Sequence, residues 1–141
     1  MGYTHYFDNS PLTTSEWAEL TSAARCILTV TDVRVVYDFD DILGGPIVDE
    51  SRIHLNGEGS DGHETFIINR EGTDDFCKTA AKPYDVVVVA ILLAAKTIAP
   101  DAFDVDTDGI LGDWEEGIEL LLKAMPDMTR AEVFTPWGKG V

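Results

Sequence analysis

The chain has 141 residues and carries 10 Lys and Arg against 26 Asp and Glu, for a formal net charge of −16. This length suits one domain with a normal core, and the 45% hydrophobic content is typical of a globular rather than a disordered protein. Direct binding to a nucleic-acid backbone is disfavoured, because phosphate contacts need Lys and Arg.

The excess of acids is compatible with three interpretations. An acidic surface adapted to high salt is one, since abundant Asp and scarce Lys resemble the composition of proteins from halophilic archaea. A second is a DNA mimic, whose carboxylates would imitate phosphates and block a nucleic-acid-binding protein. The third is a set of carboxylates gathered to bind a metal ion. The composition leaves all three open.

The first half of the chain predicts strands around one helix. The opening GYTHYF predicts an edge strand, and Thr13 with Glu16 three residues later predicts a capping box at the start of a helix over 14–28. Alternating apolar and polar residues indicate a strand over 33–39. Two further strands over 52–56 and 64–70 predict an antiparallel hairpin with a long loop. A short segment over 76–79 follows.

The longest apolar segment, YDVVVVAILLAAKTIA, lies between Pro83 and Pro100. It is shorter than the roughly 20 apolar residues that span a bilayer, and it contains Asp85 and Lys96. We therefore expect no membrane span but a central helix that is covered on all sides, with Pro83 at its first helical position. The N-terminal residues lack the features of a secretory signal, which favours a cytoplasmic location with Cys26 and Cys77 reduced.

The last part predicts a third helix with an apolar stripe from Trp114 to Met125, capped by Asp113 and ended by Pro126. A final strand over 131–134 and a loosely held tail over 136–141 complete the chain. The order of elements predicts a single α+β domain over residues 1–141. In it, a mainly antiparallel sheet packs against about three helices, including the central apolar helix.

The sequence over 104–115 matches the complete calcium-loop pattern D-x-D-x-D-G-x5-E. Its predicted Ca²⁺ ligands are Asp104, Asp106, Asp108, the carbonyl of Ile110, and Glu115. Pro100 departs from the EF-hand family, because it interrupts the helix that should enter the loop, and a second hand is absent. The alternative is a strand over 103–105, a turn over 107–109 and Asp113 as a helix cap.

The densest group of reactive side chains predicts a second candidate site, for a small anionic ligand or a nucleophile. A Cys beside a Lys can have a lowered pKa, and the amides at the start of the central helix would stabilise an anion. His5 or His63 would serve as a base only if the fold brings it near. The alternative is a buried Cys with lysines that balance local acids. The residues of this site are Cys77, Lys78, Thr79, Lys82, Tyr84 and Asp85.

The segments GYTHYF, ETFIINR and FCKTAAKPYDVVVVAILLAAK, with the final Asp-Trp helix, resemble a family of small proteins of unknown activity from tailed phages and prophages. Its members begin with MGYTHY. The resemblance implies a viral or proviral accessory protein but no known activity, and the acidic, lysine-poor composition indicates a virus or provirus of a halophilic archaeon. Our first hypothesis is that the protein binds a host factor or a small ligand in the host cytoplasm and counteracts host defence. Two alternatives remain. One is a small enzyme or nucleotide-binding protein that uses the 77–85 region, and the other is a calcium-stabilised structural or virion-associated module.

Overall fold

The computed structural model of the chain describes residues 3–38, 40 and 43–141. Its three helices are α1 (Thr14–Val30), α2 (Asp85–Ile98) and α3 (Leu111–Ala124). The strands are β1 (Thr4–Asn9), β2 (Val35–Val36), β3 (Ile47–Val48), β4 (Arg52–Gly57), β5 (Phe66–Asn69), β6 (Thr73–Lys78), β7 (Phe103–Thr107), β8 (Phe134–Thr135) and β9 (Gly138–Lys139). All their pairings are antiparallel, which confirms the predicted α+β class.

Strand β1 is the centre of a three-stranded sheet in the order β6-β1-β7. The prediction of an edge strand is therefore wrong, because β6 and β7 cover both of its sides. The predicted hairpin is confirmed, since β4 pairs with β5 across the 58–65 loop, and β4 also pairs with β2 and β3. Strand β2 is shorter than the predicted 33–39, and Phe39 lies outside the described residues.

Helix α2 is the centre of the core, as its all-round apolar sequence predicts. Residues 87–95 are at most 1% exposed, with α1 and α3 packed against the helix. Pro83 is not its first helical residue, which corrects the prediction. The Asp85 amide donates to the Lys82 carbonyl at 2.9 Å, which closes a turn with Pro83 at its second position. This turn leads to the N-cap residue Tyr84. Proline suits that position because its φ is fixed.

Helix α1 begins as predicted. The Thr13 hydroxyl accepts from the Glu16 amide at 3.1 Å, and the Glu16 carboxylate accepts from the Thr13 amide at 2.9 Å. In α3 the predicted cap is displaced: the helix begins at Leu111, so Asp113 lies within the first turn. Its carboxylate accepts from the Ile110 amide at 2.9 Å and so satisfies a donor just before the helix.

The C-terminal residues differ most from the prediction. Arg130–Glu132 forms a 3-10 turn instead of a strand, and β8 and β9 form a hairpin where a loose tail was expected. The Phe134 amide donates to the Thr97 hydroxyl at 2.9 Å, and the Trp137 ring packs edge-on against Trp114. These contacts with α2 and α3 hold the tail.

None of the helices in the described part of the chain is long and apolar enough to cross a membrane.

Candidate functional site

The predicted 77–85 site is divided between the core and the surface. Cys77, Thr79 and Tyr84 are fully buried, whereas Lys78 and Lys82 are partly exposed. The Cys77 thiol donates to the Glu64 carbonyl at 3.4 Å, and that carbonyl also accepts from the Tyr84 hydroxyl at 2.5 Å. Burial raises the pKa of the Cys77 thiol to about 12, which corrects the expected lowering. Cys77 is therefore a neutral thiol at physiological pH.

A chain of partly buried hydrogen bonds joins two residues of this site to His5, which the sequence suggested only as a conditional base, and to Thr107, which it did not indicate. His5 Nε2 lies 2.6 Å from Asp85 Oδ1, and His5 Nδ1 lies 2.8 Å from Thr107 Oγ1. The Thr79 hydroxyl donates to the same Asp85 oxygen at 2.5 Å. We call these four residues the His5 network: His5, Thr79, Asp85 and Thr107.

Aromatic rings cover the His5 end of this network, whereas Asp85 and Thr107 are partly exposed. Tyr3 and Trp114 pack edge-on against the His5 ring, with centroid distances of 5.0 and 5.2 Å. The His5 side chain is 0% exposed and that of Asp85 is 15% exposed. Among the residues that the structure describes, the buried Tyr3 Oη and Trp114 Nε1 have no hydrogen-bond partner. Burial also raises the pKa of Tyr3 above its usual value.

His5 and His63 are the two histidines that could act as a base on the Cys77 thiol. His5 lies directly opposite Cys77 on β1 and β6, but its two ring nitrogens bond to Asp85 and Thr107. His63 lies in the loop after β4, where its amide and carbonyl bond to the Asn56 side chain. The hydrogen bonds of the His5 ring therefore join it to Asp85 and Thr107 and not to the Cys77 thiol.

The outer face of the β6-β1-β7 sheet is strongly acidic. Asp8 on β1 lies directly opposite Asp74 on β6 and Asp104 on β7, so three carboxylates form a row across the strands. In the neighbouring row, Tyr6 lies directly opposite Phe76 and Asp106. All six side chains are exposed. We call this surface the acidic face: Tyr6, Asp8, Asp74, Phe76, Asp104 and Asp106.

The predicted calcium ligands fall on and beside this face. Asp104 and Asp106 belong to β7, as the alternative of a strand over 103–105 requires. A strand separates alternate side chains by about 6.8 Å instead of wrapping them around one point. Asp108 accepts from the Tyr6 hydroxyl at 3.1 Å, and Glu115 pairs with Arg130 at 2.8 Å.

The remaining predicted ligand is the carbonyl of Ile110, which accepts from the Asp113 amide at 3.0 Å. Within residues 3–38, 40 and 43–141, no group of three or more His, Cys, Asp or Glu side chains is arranged to hold a metal ion. Calcium binding by this segment stays a prediction.

A cleft of about 780 Å³ lies over the acidic face and extends to the β8–β9 hairpin. At the hairpin end, the Lys96 ammonium lies 5.2 Å from the centroid of the Phe134 ring and donates to the carbonyl of Phe103 at 2.7 Å. At the sheet end the charged lining consists of aspartates. The cleft thus combines exposed aromatic rings with a negative floor.

No protein-family model matches the chain, and neither does a curated protein or a solved structure.

Proposed function

We propose that the chain is a binding protein that holds a basic segment of a partner protein in the cleft over the acidic face. The observation that carries this proposal is the row of Asp74, Asp8 and Asp104 on adjacent strands. Like charges directly opposite each other on a sheet are destabilising. A cationic ligand would remove that repulsion, so the row favours the bound state over the free one.

The exposed rings on the same face support a protein partner over a simple cation. Phe76 is 55% exposed and Tyr6 is 44% exposed, and they lie opposite each other on β6 and β1. Aromatic side chains are enriched where proteins bind one another, because they bury a large area and also attract cations. An acidic coat that only maintains hydration in salt has no need of exposed rings between its carboxylates.

The resemblance to small phage and prophage proteins supports a host protein as the partner. In this proposal the chain is a viral or proviral accessory protein of the host cytoplasm, and its binding interferes with a host factor such as a defence protein. The excess of acids, with a net charge of −16, would steer a basic partner toward the cleft.

The test is the affinity for short basic peptides of a double variant of the row, Asp8→Asn with Asp104→Asn. We expect this variant to bind at least about tenfold more weakly than the wild type, as loss of close charge pairs implies. The control is Asp32→Asn with Asp127→Asn, which removes the same charge from exposed positions outside the cleft. Equal losses in both variants would show attraction to net charge alone and refute the proposal.

A small enzyme is the second candidate, and the His5 network favours it. The order Thr107 hydroxyl, His5 imidazole, Asp85 carboxylate is the order in which nucleophiles are activated in hydrolases. The test is hydrolysis of an activated ester by the wild type, Thr107→Val and His5→Gln. Activity that both variants lose while retaining their fold would support the enzyme, whereas a rate equal to that of the buffer would reject it.

A further inference from the structure

We propose that the cleft selects arginine over lysine, and that it takes an extended segment with two basic residues at alternate positions. This inference rests on the proposed function and specifies its ligand. It follows from how the two rows of the acidic face are placed relative to each other.

The row that contains the two rings also contains a carboxylate. Phe76, Tyr6 and Asp106 are neighbours across three strands, so a carboxylate adjoins the pair of exposed aromatic side chains. The Tyr6 hydroxyl donates to Asp108 at 3.1 Å, which restrains its ring before any ligand arrives. A restrained ring loses less conformational entropy when it binds a ligand.

Arginine and lysine differ in how their cations interact with a ring and a carboxylate. A guanidinium is planar, stacks on an aromatic ring and can at the same time donate two parallel hydrogen bonds to a carboxylate. An ammonium is a compact and strongly hydrated point charge, which gains less from the ring. A ring beside a carboxylate therefore favours arginine at this row.

The spacing between the two rows matches the spacing of side chains in an extended peptide. The row of Asp74, Asp8 and Asp104 lies two residues along the strands from the row of Phe76, Tyr6 and Asp106. Two residues of a strand span about 6.8 Å, which is also the distance between alternate side chains of an extended peptide. A segment laid along the strands would thus place one arginine on the ring row and a second basic residue on the carboxylate row.

The other end of the cleft supports the same chemistry. The Lys96 ammonium lies over the Phe134 ring, so this wall of the cleft already contains an intramolecular cation–π contact. Its ammonium donates to the carbonyls of Pro100 and Phe103 at 2.8 and 2.7 Å, which fixes this charge in place. A second cation would be repelled from that end and directed to the acidic face.

The experiment compares three labelled Gly- and Ser-based peptides by fluorescence anisotropy: one with Arg-Ser-Arg, one with Lys-Ser-Lys and one with Arg-Ser-Ser-Arg. We expect the first to bind about fivefold more tightly than the second, the range of a cation–π contact at a partly exposed site. The third should also bind more weakly than the first, because adding a residue directs its second arginine away from the carboxylate row.

Three variants separate the contribution of the ring from that of the carboxylate row. Tyr6→Leu should bring the affinity ratio of the Arg and Lys peptides close to one, because Tyr6 is the ring directly opposite Asp106. Asp104→Asn should weaken both peptides and retain the ratio. Tyr6→Phe, which keeps the ring and removes its bond to Asp108, should lower the ratio less than Tyr6→Leu. Thermal melts confirm that each variant is folded.

The outcomes distinguish this inference from the proposed function. Equal affinity of the wild type for the Arg and Lys peptides, with both weakened by Asp104→Asn, would overturn the choice of arginine and leave the binding of basic segments intact. Affinities that do not change in Asp104→Asn or in the Asp8 and Asp104 double variant would overturn both.

Discussion

At the scale of single residues, the turn between β6 and α2 carries an unfavourable backbone conformation. Ala80 and Ala81 have φ values of 53° and 54°, and the Lys82 amide donates to the Thr79 carbonyl at 3.0 Å. Two successive positive φ angles closed by this bond are typical of a type I′ turn, which usually contains Asn and Gly. For an L-residue other than glycine, this conformation costs about 1–2 kcal/mol.

We expect Ala81→Gly to raise the free energy of unfolding by about 0.5–1 kcal/mol. Glycine adopts positive φ without the steric cost, although its freer unfolded chain offsets part of the gain. Denaturant unfolding measures the change. Ala18→Gly, at an exposed position of α1, is the control and should lower stability by a similar amount. A loss of stability in both variants would mean that Ala81 is not strained.

A second prediction at this scale concerns the hydrogen bond between His5 and Asp85. His5→Leu removes one of the two side-chain hydrogen bonds at the Asp85 carboxylate and leaves the bond from Thr79, so it should lower the free energy of unfolding by about 2–3 kcal/mol. A double-mutant cycle with Asp85→Asn should give a coupling of about 2 kcal/mol. The exposed pair of Glu115 and Arg130 is the control, and Glu115→Gln should change stability little because solvent screens it. Independent, additive losses at His5 and Asp85 would contradict the prediction.

At the scale of elements, α2 and α3 approach closely at one glycine. A Cβ on Gly117 would overlap the Val89 side chain on α2, whereas a Cβ on Gly112 of the same helix would have Ile110 Cδ1 at 4.0 Å as its nearest neighbour. Glycine at position 117 is therefore a packing requirement, and glycine at position 112 is not. The difference follows from the side of α3 on which each residue lies.

We expect Gly117→Ala to lower the free energy of unfolding by about 1–3 kcal/mol, since the added methyl group forces the two helices apart or shifts Val89. Gly112→Ala should raise it by up to about 1 kcal/mol through helix propensity alone. Thermal or denaturant unfolding of the two variants, side by side, provides the comparison. A stabilised Gly117→Ala variant would show that the contact between α2 and α3 adjusts without cost.

Elements with a local cause could be predicted from the sequence, and pairings across long separations could not. The Thr13–Glu16 capping box and the apolar residues of α2 predicted both helices, because their determinants lie within a few residues. Strand β1 has the same alternation whether it lies at an edge or in the centre, and its neighbours β6 and β7 come about 70 and 100 residues later. The tail hairpin similarly depends on Thr97 and Trp114.

The candidate site was predictable only in part for the same reason. Asp85 and Thr79 were identified from their local group, but His5 and Thr107 are separated by 102 positions and meet only because β1 and β7 pair. The aspartates of β7 were noticed as a calcium pattern. Their alternation with Phe103 and Val105 also indicates a strand with one acidic side, and that signal leads to the acidic face.

At the scale of the whole molecule, the net charge of −16 opposes folding through self-repulsion, and salt screens that repulsion. A general excess of charge and a local row of carboxylates differ in one measurable respect. Removing any exposed carboxylate changes the total charge equally, but removal of Asp8 also relieves its repulsion by the carboxylates directly opposite on both neighbouring strands. The position of the substitution therefore separates the two effects.

We expect Asp8→Asn to raise the Tm in low salt by more than Asp127→Asn does, although both remove one exposed charge. The difference should shrink in about 1 M KCl, where the Debye length falls to about 3 Å and screens neighbouring strands from each other. Thermal melts of both variants at the two salt concentrations make the measurement. The same Asp8→Asn substitution should weaken binding of the basic peptides. Stability and affinity should therefore change in opposite directions, because a surface suited to binding is often not the most stable one. Identical Tm shifts for the two variants would instead assign the acidity of this face to the general charge of the surface.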